Sequence, residues 1–386
     1  MHDADVIIIG GGIMGCSIAW HLGKLGKRAL ILEKKDVAAG SGGASDGVVG
    51  YHTKKPGIQM ELAIQSIAMF DTLTEELGGG VVYGKNAGGM QPVEDELQWN
   101  ILSAIVEEQC KSGVDIRMIS AEEARAIEPN LSEDIYGAMY SPTSGKINPL
   151  DLTMAYFRAA KRLGAVVQTE TEVTGFLTEN GAVKGVRTNR GDYYADYVVC
   201  ACGAWSGQVA SLAGFRFPVG PRKGQLAVTE SIGPYMTATV QCARYNVIKF
   251  RPEVIDDESV LRLGTSLSIE QTSSGGMIIG CTREFAEFED QNTFEAIDAM
   301  MKRAERFFPA LKDVSVIRFF TGFRPYTPDG IPLLGEVKTL KGFYMAAGHE
   351  GDGIALSPIT GKLISEQIVY GQCSYNIDEF SPNRFL

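Results

Sequence analysis

Apolar positions along this chain switch between two spacings, every second residue and every third or fourth, and the switches mark its elements. Residues 5–10, Asp-Val-Ile-Ile-Ile-Gly, form a short β-branched run that reads as a strand. Helical spacing follows over residues 13–26 and a second strand over 28–32, so the pattern predicts a β-α-β unit. Residues 41–50 are rich in glycine and serine, and residues 60–77 return to helical spacing, which predicts a loop leading into a helix. Further on, residues 89–93 read as a strand and 96–111 as a helix, and Pro149 opens a helix that runs through residue 163.

Four strands are expected next, at 165–169, 173–178, 183–188 and 193–201. Turn signals at Asn180-Gly181 and Arg190-Gly191-Asp192 separate the last three, which predicts a small antiparallel ribbon inserted into the first unit. A second strand-rich block covers 217–229, 244–250, 260–268 and 277–281 and leads into a helix over 294–307. The strand pattern at 343–347 and the helical one at 354–370 return the chain to its first unit. There are no internal repeats, low-complexity tracts or long linkers.

Composition narrows what such a chain does. With 386 residues, 45% of them apolar, it can close a core of about two to three domains. A net charge of −11 argues against nucleic acid or an anionic membrane surface as the main partner, because both need concentrated Lys and Arg. No stretch approaches the roughly 18 uncharged apolar residues of a membrane span, and the run at 6–9 is too short for a signal segment, so the expected location is the cytoplasm. Seven scattered cysteines with no Cys-x-x-Cys pairing read as reduced thiols, and no metal site is expected. Cys200 and Cys202 are two apart in an apolar run and are expected on one side of a strand.

The chemistry begins at Gly10-Gly11-Gly12-Ile13-Met14-Gly15, a G-x-G-x-x-G between strand and helix, with Glu33 closing the next strand. Gly10 permits the tight turn, Gly12 lets backbone N–H groups reach a pyrophosphate at the helix N-terminus, and Gly15 lets helix and strand pack closely. This dinucleotide fingerprint fits NAD as well as FAD.

Five blocks decide for FAD: residues 5–15 with Glu33; 40–50, Gly-Ser-Gly-Gly-Ala-Ser-Asp-Gly-Val-Val-Gly; 140–149, Tyr-Ser-Pro-Thr-Ser-Gly-Lys-Ile-Asn-Pro; 198–205, Val-Val-Cys-Ala-Cys-Gly-Ala-Trp; and 322–330, Gly-Phe-Arg-Pro-Tyr-Thr-Pro-Asp-Gly, with 348–354, Gly-His-Glu-Gly-Asp-Gly-Ile. In order and spacing they resemble the glycine oxidase, sarcosine oxidase and D-amino-acid oxidase family of flavoenzymes, from residue 5 to about 371. The fold class implied is α/β: a Rossmann-like FAD-binding domain assembled from 1–80, 148–216 and 325–386, and a second, antiparallel-sheet substrate domain from 81–147 and 217–324.

The resemblance implies a site. Ser41, Gly43, Ala44 and Ser45 are expected along the cofactor, with Val48, Val49 and Gly50 near its ring. Glu33 and Lys34 are expected at the ribose, the backbone of Val173 at the adenine end, and Gly203 at the end of the strand that reaches the nucleotide. Gly348, Gly351, Asp352, Gly353 and Ile354 precede a helix, and such a loop can aim N–H groups at the flavin edge where negative charge appears on reduction. Arg324 matches the arginine that binds the substrate carboxylate, a task suited to a fork that pairs two oxygens and stays charged. His52 matches a histidine beside the active site, and His349 falls in the flavin loop.

The implied reaction is hydride transfer from the carbon next to nitrogen of a small amino acid to flavin N5, giving an imine. No general base is assigned. Gly322 and Asp46 stand where relatives with cysteine- or histidine-linked flavin carry the linking residue, so FAD is expected to be non-covalent. Ile278 and Ser268 fall where sarcosine and glycine oxidases carry an active-site lysine and tyrosine. The last block also resembles catalytic subunits of hydroxyproline, proline, opine or glycine dehydrogenases, which pass electrons to an iron–sulfur or second flavoprotein subunit. Oxygen and such a partner thus both stand as acceptors, a non-catalytic relay subunit stands as the rival reading, and the oligomeric state is left open.

Overall fold

The computed structural model describes residues 2–386. Val6–Ile9 lies in the middle of a six-stranded sheet ordered Leu333–Glu336, Phe343–Ala347, Tyr197–Cys200, Val6–Ile9, Ala29–Leu32, Val166–Gln168. Every neighbouring pair is parallel except the first, where Leu333–Glu336 runs antiparallel on the edge. The unbroken apolar run has a direct cause: Val6 and Ile8 face one core cluster, Ile7 and Ile9 another, so neither face meets water. Helices Ile13–Lys24, Pro149–Arg162 and Gly353–Tyr370 pack on the first face. The second face is covered by the three-stranded antiparallel ribbon Val173–Glu179, Ala182–Thr188, Gly191–Tyr194. One expected strand is two. Residues 193–201 divide at Ala195-Asp196, the ribbon keeping Gly191–Tyr194 and the parallel sheet taking Tyr197–Cys200.

A second sheet has eight strands, ordered Val316–Tyr326, Gly220–Ser231, Gly276–Gly280, Ser268–Gln271, Thr239–Gln241, Gly89–Val93, Gly137–Ser141, Arg117–Ser120. It is antiparallel apart from Thr239–Gln241 against Gly89–Val93. Helix Phe294–Phe307 lays Ala296, Met300, Ala304 and Phe307 against it, capped by the Thr293 hydroxyl, which accepts from the Ala296 N–H. A third, small sheet joins Val48–Val49 to Gly145–Ile147 and Tyr83–Gly84 and ties the two larger layers together.

Two expectations are corrected. Residues 244–250 form the helix Arg244–Phe250, not a strand, and most of 260–268 belongs to the helix Glu258–Leu263 and the turn after it. The β-rich composition of Tyr-Asn-Val-Ile-Lys-Phe is overridden because Tyr245, Val247 and Ile248 bury one side as a helix, while Asp257 accepts N–H bonds from Ser259 and Val260 to start the other helix. The other expected helices and strands form, within the usual uncertainty of element ends, while the strands Arg117–Ser120, Gly137–Ser141, Thr239–Gln241, Val316–Tyr326 and Leu333–Glu336 arise where no element was expected. No helix among the described residues is long and apolar enough to cross a membrane.

Candidate active site

A cavity of about 690 Å³ runs from the carboxyl ends of the parallel strands to the two long strands of the eight-stranded sheet. Its first end is built by Gly10–Gly15. Gly10 has φ +109° and a Cβ there would collide with the Ala201 carbonyl; a Cβ on Gly15 would overlap the Gly10 carbonyl oxygen. Gly12 differs: a Cβ there would meet nothing, because this residue faces the cavity. Gly12 is the N-cap of helix Ile13–Lys24 and no side chain caps that helix, so its first N–H groups are left for an anion. Glu33 is held by backbone, its two oxygens accepting from Gly11 N–H at 2.7 Å and Lys35 N–H at 2.8 Å. Lys34, Thr171 and Val173 close this end, and Gly203, with φ +53°, lines it from the opposite strand.

The loop after the second strand forms the middle of the wall. Ser41, Ala44, Ser45 and Val48 line the cavity, and the Ser41 hydroxyl donates to the Phe323 carbonyl, which fastens the loop to the second sheet. Gly43, Val49 and Gly50 do not line it. A Cβ on Gly43 would run into the Ala38 carbonyl, Val49 points into the core, and Gly50 backs onto His52 and Ser144. These three shape the loop from behind.

At the far end stand Arg324, Tyr245, His349, Glu350 and Gly351, with Gly353 and Ile354 opening the last helix onto the cavity. Arg324 Nη1 donates to the Thr282 carbonyl at 2.9 Å. His349 is buried, its Nε2 3.0 Å from Thr360 Oγ1, and burial pushes its pKa down to about 4. Gly348 and Asp352 sit behind this wall. The Asp352 carboxylate turns inward to Lys54 Nζ at 2.6 Å and Lys249 Nζ at 3.2 Å, and those ammonium groups hold it well below the ordinary carboxylate range despite its burial.

His52 also lies behind the wall, fully buried between Ser144 Oγ at 3.0 Å and Gln241 Oε1 at 2.6 Å, and burial lowers its pKa to about 4. It connects to the cavity at one remove. Gln241 donates to Ser268 at 3.3 Å, and Ser268 donates to Asp46, which does line the cavity. Ser268 therefore buttresses Asp46 rather than standing in the site; the phenol at the cavity is that of Tyr245. Beside Asp46, burial raises the Glu270 carboxyl to about 8, helped by the Asp46 charge.

Sequence reasoning missed Tyr245 and Glu350 on the cavity wall and Arg222 and Arg283 behind it, and it noted Asp46 only as standing where some relatives carry a flavin-linking residue. Glu350 and Asp46 lie inside motifs already singled out, so position alone could have found them. Tyr245 was hidden by the strand assigned to its helix. Arg222 and Arg283 carry no local signal; the sheet register brings Arg222 opposite Arg324 and the strand end at Gly280 brings Arg283 beside both.

A glycine-lined strand-to-helix turn under one end of a long cavity, with an acidic residue on the second strand, defines a Rossmann-like dinucleotide-binding enzyme with a second, substrate-facing sheet. The chain belongs to the family of FAD dependent oxidoreductases whose family model, DAO, matches residues 5–367. Among curated proteins it is 31% identical over 99% of its length to the bifunctional protein ThiO/ThiG of Synechocystis, of which it spans about half, 54%. It is 28% identical to the glycine oxidase of Geobacillus kaustophilus, over all of this chain and 98% of that one. The crystal structure of that oxidase superposes with a TM-score of 0.89 over the whole of both chains, and that of the L-proline dehydrogenase from P. horikoshii with 0.88 at 28% identity, over all of this chain and 98% of that one.

The residues present fit FAD. Gly12 leaves open space where the fingerprint needs backbone close to a pyrophosphate, the first turn of the helix is uncapped, and Glu33, the acidic residue the fingerprint requires, is held in place by backbone N–H groups after the second strand.

Proposed function

We propose that this enzyme oxidises the carbon–nitrogen bond of a small amino acid, or of an N-substituted or cyclic one, with FAD held non-covalently. The observation that carries the reading is Arg324: a guanidinium on the wall of the cavity, anchored through Nη1 to the Thr282 carbonyl, with its remaining N–H edge free for a carboxylate. The named relatives, a glycine oxidase and an L-proline dehydrogenase, act on small amino acids, which supports it.

In this reading the turn at Gly10, Gly12, Ile13, Met14 and Gly15 receives the pyrophosphate, Glu33 with Lys34 the ribose, and the Val173 backbone and Gly203 the adenine side. Ser41, Ala44, Ser45 and Val48 run along the cofactor, and Gly351, Gly353 and Ile354 present a helix N-terminus to its far edge. Gly43, Val49, Gly50, Gly348 and Asp352 hold those segments in shape. Bound FAD supplies the two-electron acceptor for the hydrogen on the carbon next to nitrogen. Arg324 binds the substrate carboxylate and so fixes which carbon is presented. His52 and His349 are neutral at pH 7 and hold the wall by hydrogen bonds rather than exchange protons. A substrate amine that enters neutral then needs no strong protein base.

The test is anaerobic addition of glycine, sarcosine, proline, hydroxyproline isomers and D-amino acids to the yellow holoenzyme while the visible flavin band is followed. Bleaching by a member of this set is expected; a stable band with all of them, and with amino dicarboxylates, removes the reading. Readmitted air then separates the acceptors, since rapid return of colour with peroxide means oxygen and slow return means a partner protein. In Arg324→Ala the Michaelis constant for the acid substrate should rise at least tenfold more than for its uncharged amine analogue; equal effects remove the carboxylate role.

A further inference from the structure

Arg222 and Arg324 are direct cross-strand partners on the two longest strands of the eight-stranded sheet, a placement of like charges that costs stability. Arg283 is added to them, so three guanidiniums gather around a single carboxylate, Glu350. Glu350 Oε1 lies 3.1 Å from Arg283 Nη1 and 3.5 Å from Arg222 Nη1. Arg283 is 2% exposed, its plane set by stacking at 4.3 Å on the Tyr245 ring, yet its Nε and Nη2 have no hydrogen-bond partner. Leaving a buried guanidinium edge unmatched is expensive, so the structure keeps that edge for something it does not itself provide.

Arg283 does not itself line the cavity; its unmatched edge stands directly behind the wall at Gly351. A point one bond off the Gly351 Cα, on the cavity wall, lies 3.9 Å from Arg283 Nη2, 3.8 Å from Arg324 Nε and 3.5 Å from the Tyr245 hydroxyl. Both arginines spend Nη1 within the protein, Arg324 on Thr282 and Arg283 on Glu350, and both keep the Nε–Nη2 side, the planar fork that pairs two oxygens of one carboxylate. Two free forks meet at one glycine whose missing side chain leaves them room, and the three arginines exceed Glu350 by two positive charges.

We propose that the substrate is an amino dicarboxylate, an amine carrying two carboxylates, with one held by Arg324 and the second by the Arg283 fork and the Tyr245 hydroxyl. This rests on the reading of the enzyme as an amino-acid oxidoreductase and specifies its substrate class. Arg283 thereby acts as a specificity-determining residue.

The experiment pairs each dicarboxylate with its monocarboxylate counterpart on the holoenzyme: iminodiacetate with sarcosine, and glutamate with norvaline in both enantiomers. Anaerobic flavin reduction is read together with the spectral shift produced by non-reacting succinate and butyrate. At least one dicarboxylate should reduce the flavin with an efficiency ten times that of its counterpart or more, and succinate should bind at least tenfold tighter than butyrate. In Arg283→Met and Arg283→Lys that preference, read as the ratio within each pair, should shrink to twofold or less for Met and be partly kept for Lys. Monocarboxylates that react and bind as well as their dicarboxylate partners in the native enzyme overturn this inference while leaving the amino-acid reading intact. If neither kind bleaches the flavin, the amino-acid reading falls and this inference with it.

Discussion

His52, expected beside the active site, stands behind the cavity wall and has a different task there. Its ring bridges Ser144 and Gln241 in a dry interior, and the cost of charging it there lowers its pKa to about 4. His349, also buried, titrates near the same value. The unfolded chain takes up these protons near pH 6.5, the folded one only near 4, so stability is expected to fall by on the order of a few kcal/mol as pH drops through that interval. Urea midpoints measured between pH 7.5 and 4.5 check this. His52→Leu should begin about 1–3 kcal/mol less stable at pH 7.5, because Gln241 and Ser144 lose their partner, and should show a shallower decline with acid. An unchanged slope would mean that His52 is not the group that titrates. The pH dependence of flavin reduction above pH 6 should be the same in both proteins, since a ring already neutral there has no proton to give.

At the level of elements, the first turn illustrates why three glycines with one motif name have different physical duties. Gly15 is needed because its helix crosses the Gly10 carbonyl with no room for a methyl group, a packing constraint present with or without ligand. Gly12 has open space beside it, so its lack of a side chain matters only to what enters the cavity. Gly15→Ala should therefore lower the melting temperature even at saturating FAD, whereas Gly12→Val should weaken FAD retention at least tenfold and leave the far-UV spectrum of the chain unchanged. Bound flavin per chain after gel filtration, with melting followed by circular dichroism, separates the two. Equal losses of flavin and of intrinsic stability in both variants would contradict this division. The spacing rule that reads these elements so well fails at Arg244–Phe250, where an apolar, β-prone stretch winds into a helix because its buried side faces the Val93, Leu102 and Met139 cluster.

For the whole molecule, the joint between the two sheets is electrostatic as much as apolar. Asp352 stands at the start of the last helix of the parallel-sheet layer, Lys249 comes from the helix Arg244–Phe250, and Lys54 from the loop before the helix Ile58–Glu76, all with little exposure. Asp352→Asn leaves two buried ammonium groups without their counter-charge and is expected to cost about 3–5 kcal/mol. The neighbouring Glu350, which Arg283 holds down to about 2, adds to this sensitivity. The Asp352 carboxylate stays charged in the fold well below its unfolded value near pH 4, so its stabilisation is fully present above that value and declines only as pH falls further; the cost of Asp352→Asn should be nearly the same at pH 7.5 and 5 and shrink below pH 4. Chemical denaturation of Asp352→Asn at pH 7.5, 5 and 3 tests both statements; a cost that is unchanged down to pH 3 would place the effect in packing instead.

The sequence by itself determined the β-α-β start, the fingerprint with Glu33, the ribbon, and the return of the last strand and helix. All of these are local: they rest on residues a few positions apart whose spacing sets helix or strand, or whose missing Cβ admits a turn. Only the tertiary structure decided that Arg222 and Arg283 converge on Glu350, that Arg283 and Arg324 meet beside Gly351, that Tyr245 supplies the phenol at the cavity, and that His52 and Asp352 stand behind the wall rather than on it. Those facts depend on sheet register and on which side of a helix is buried. Both are set by the packing of segments more than a hundred residues apart, and no local pattern in the chain encodes them.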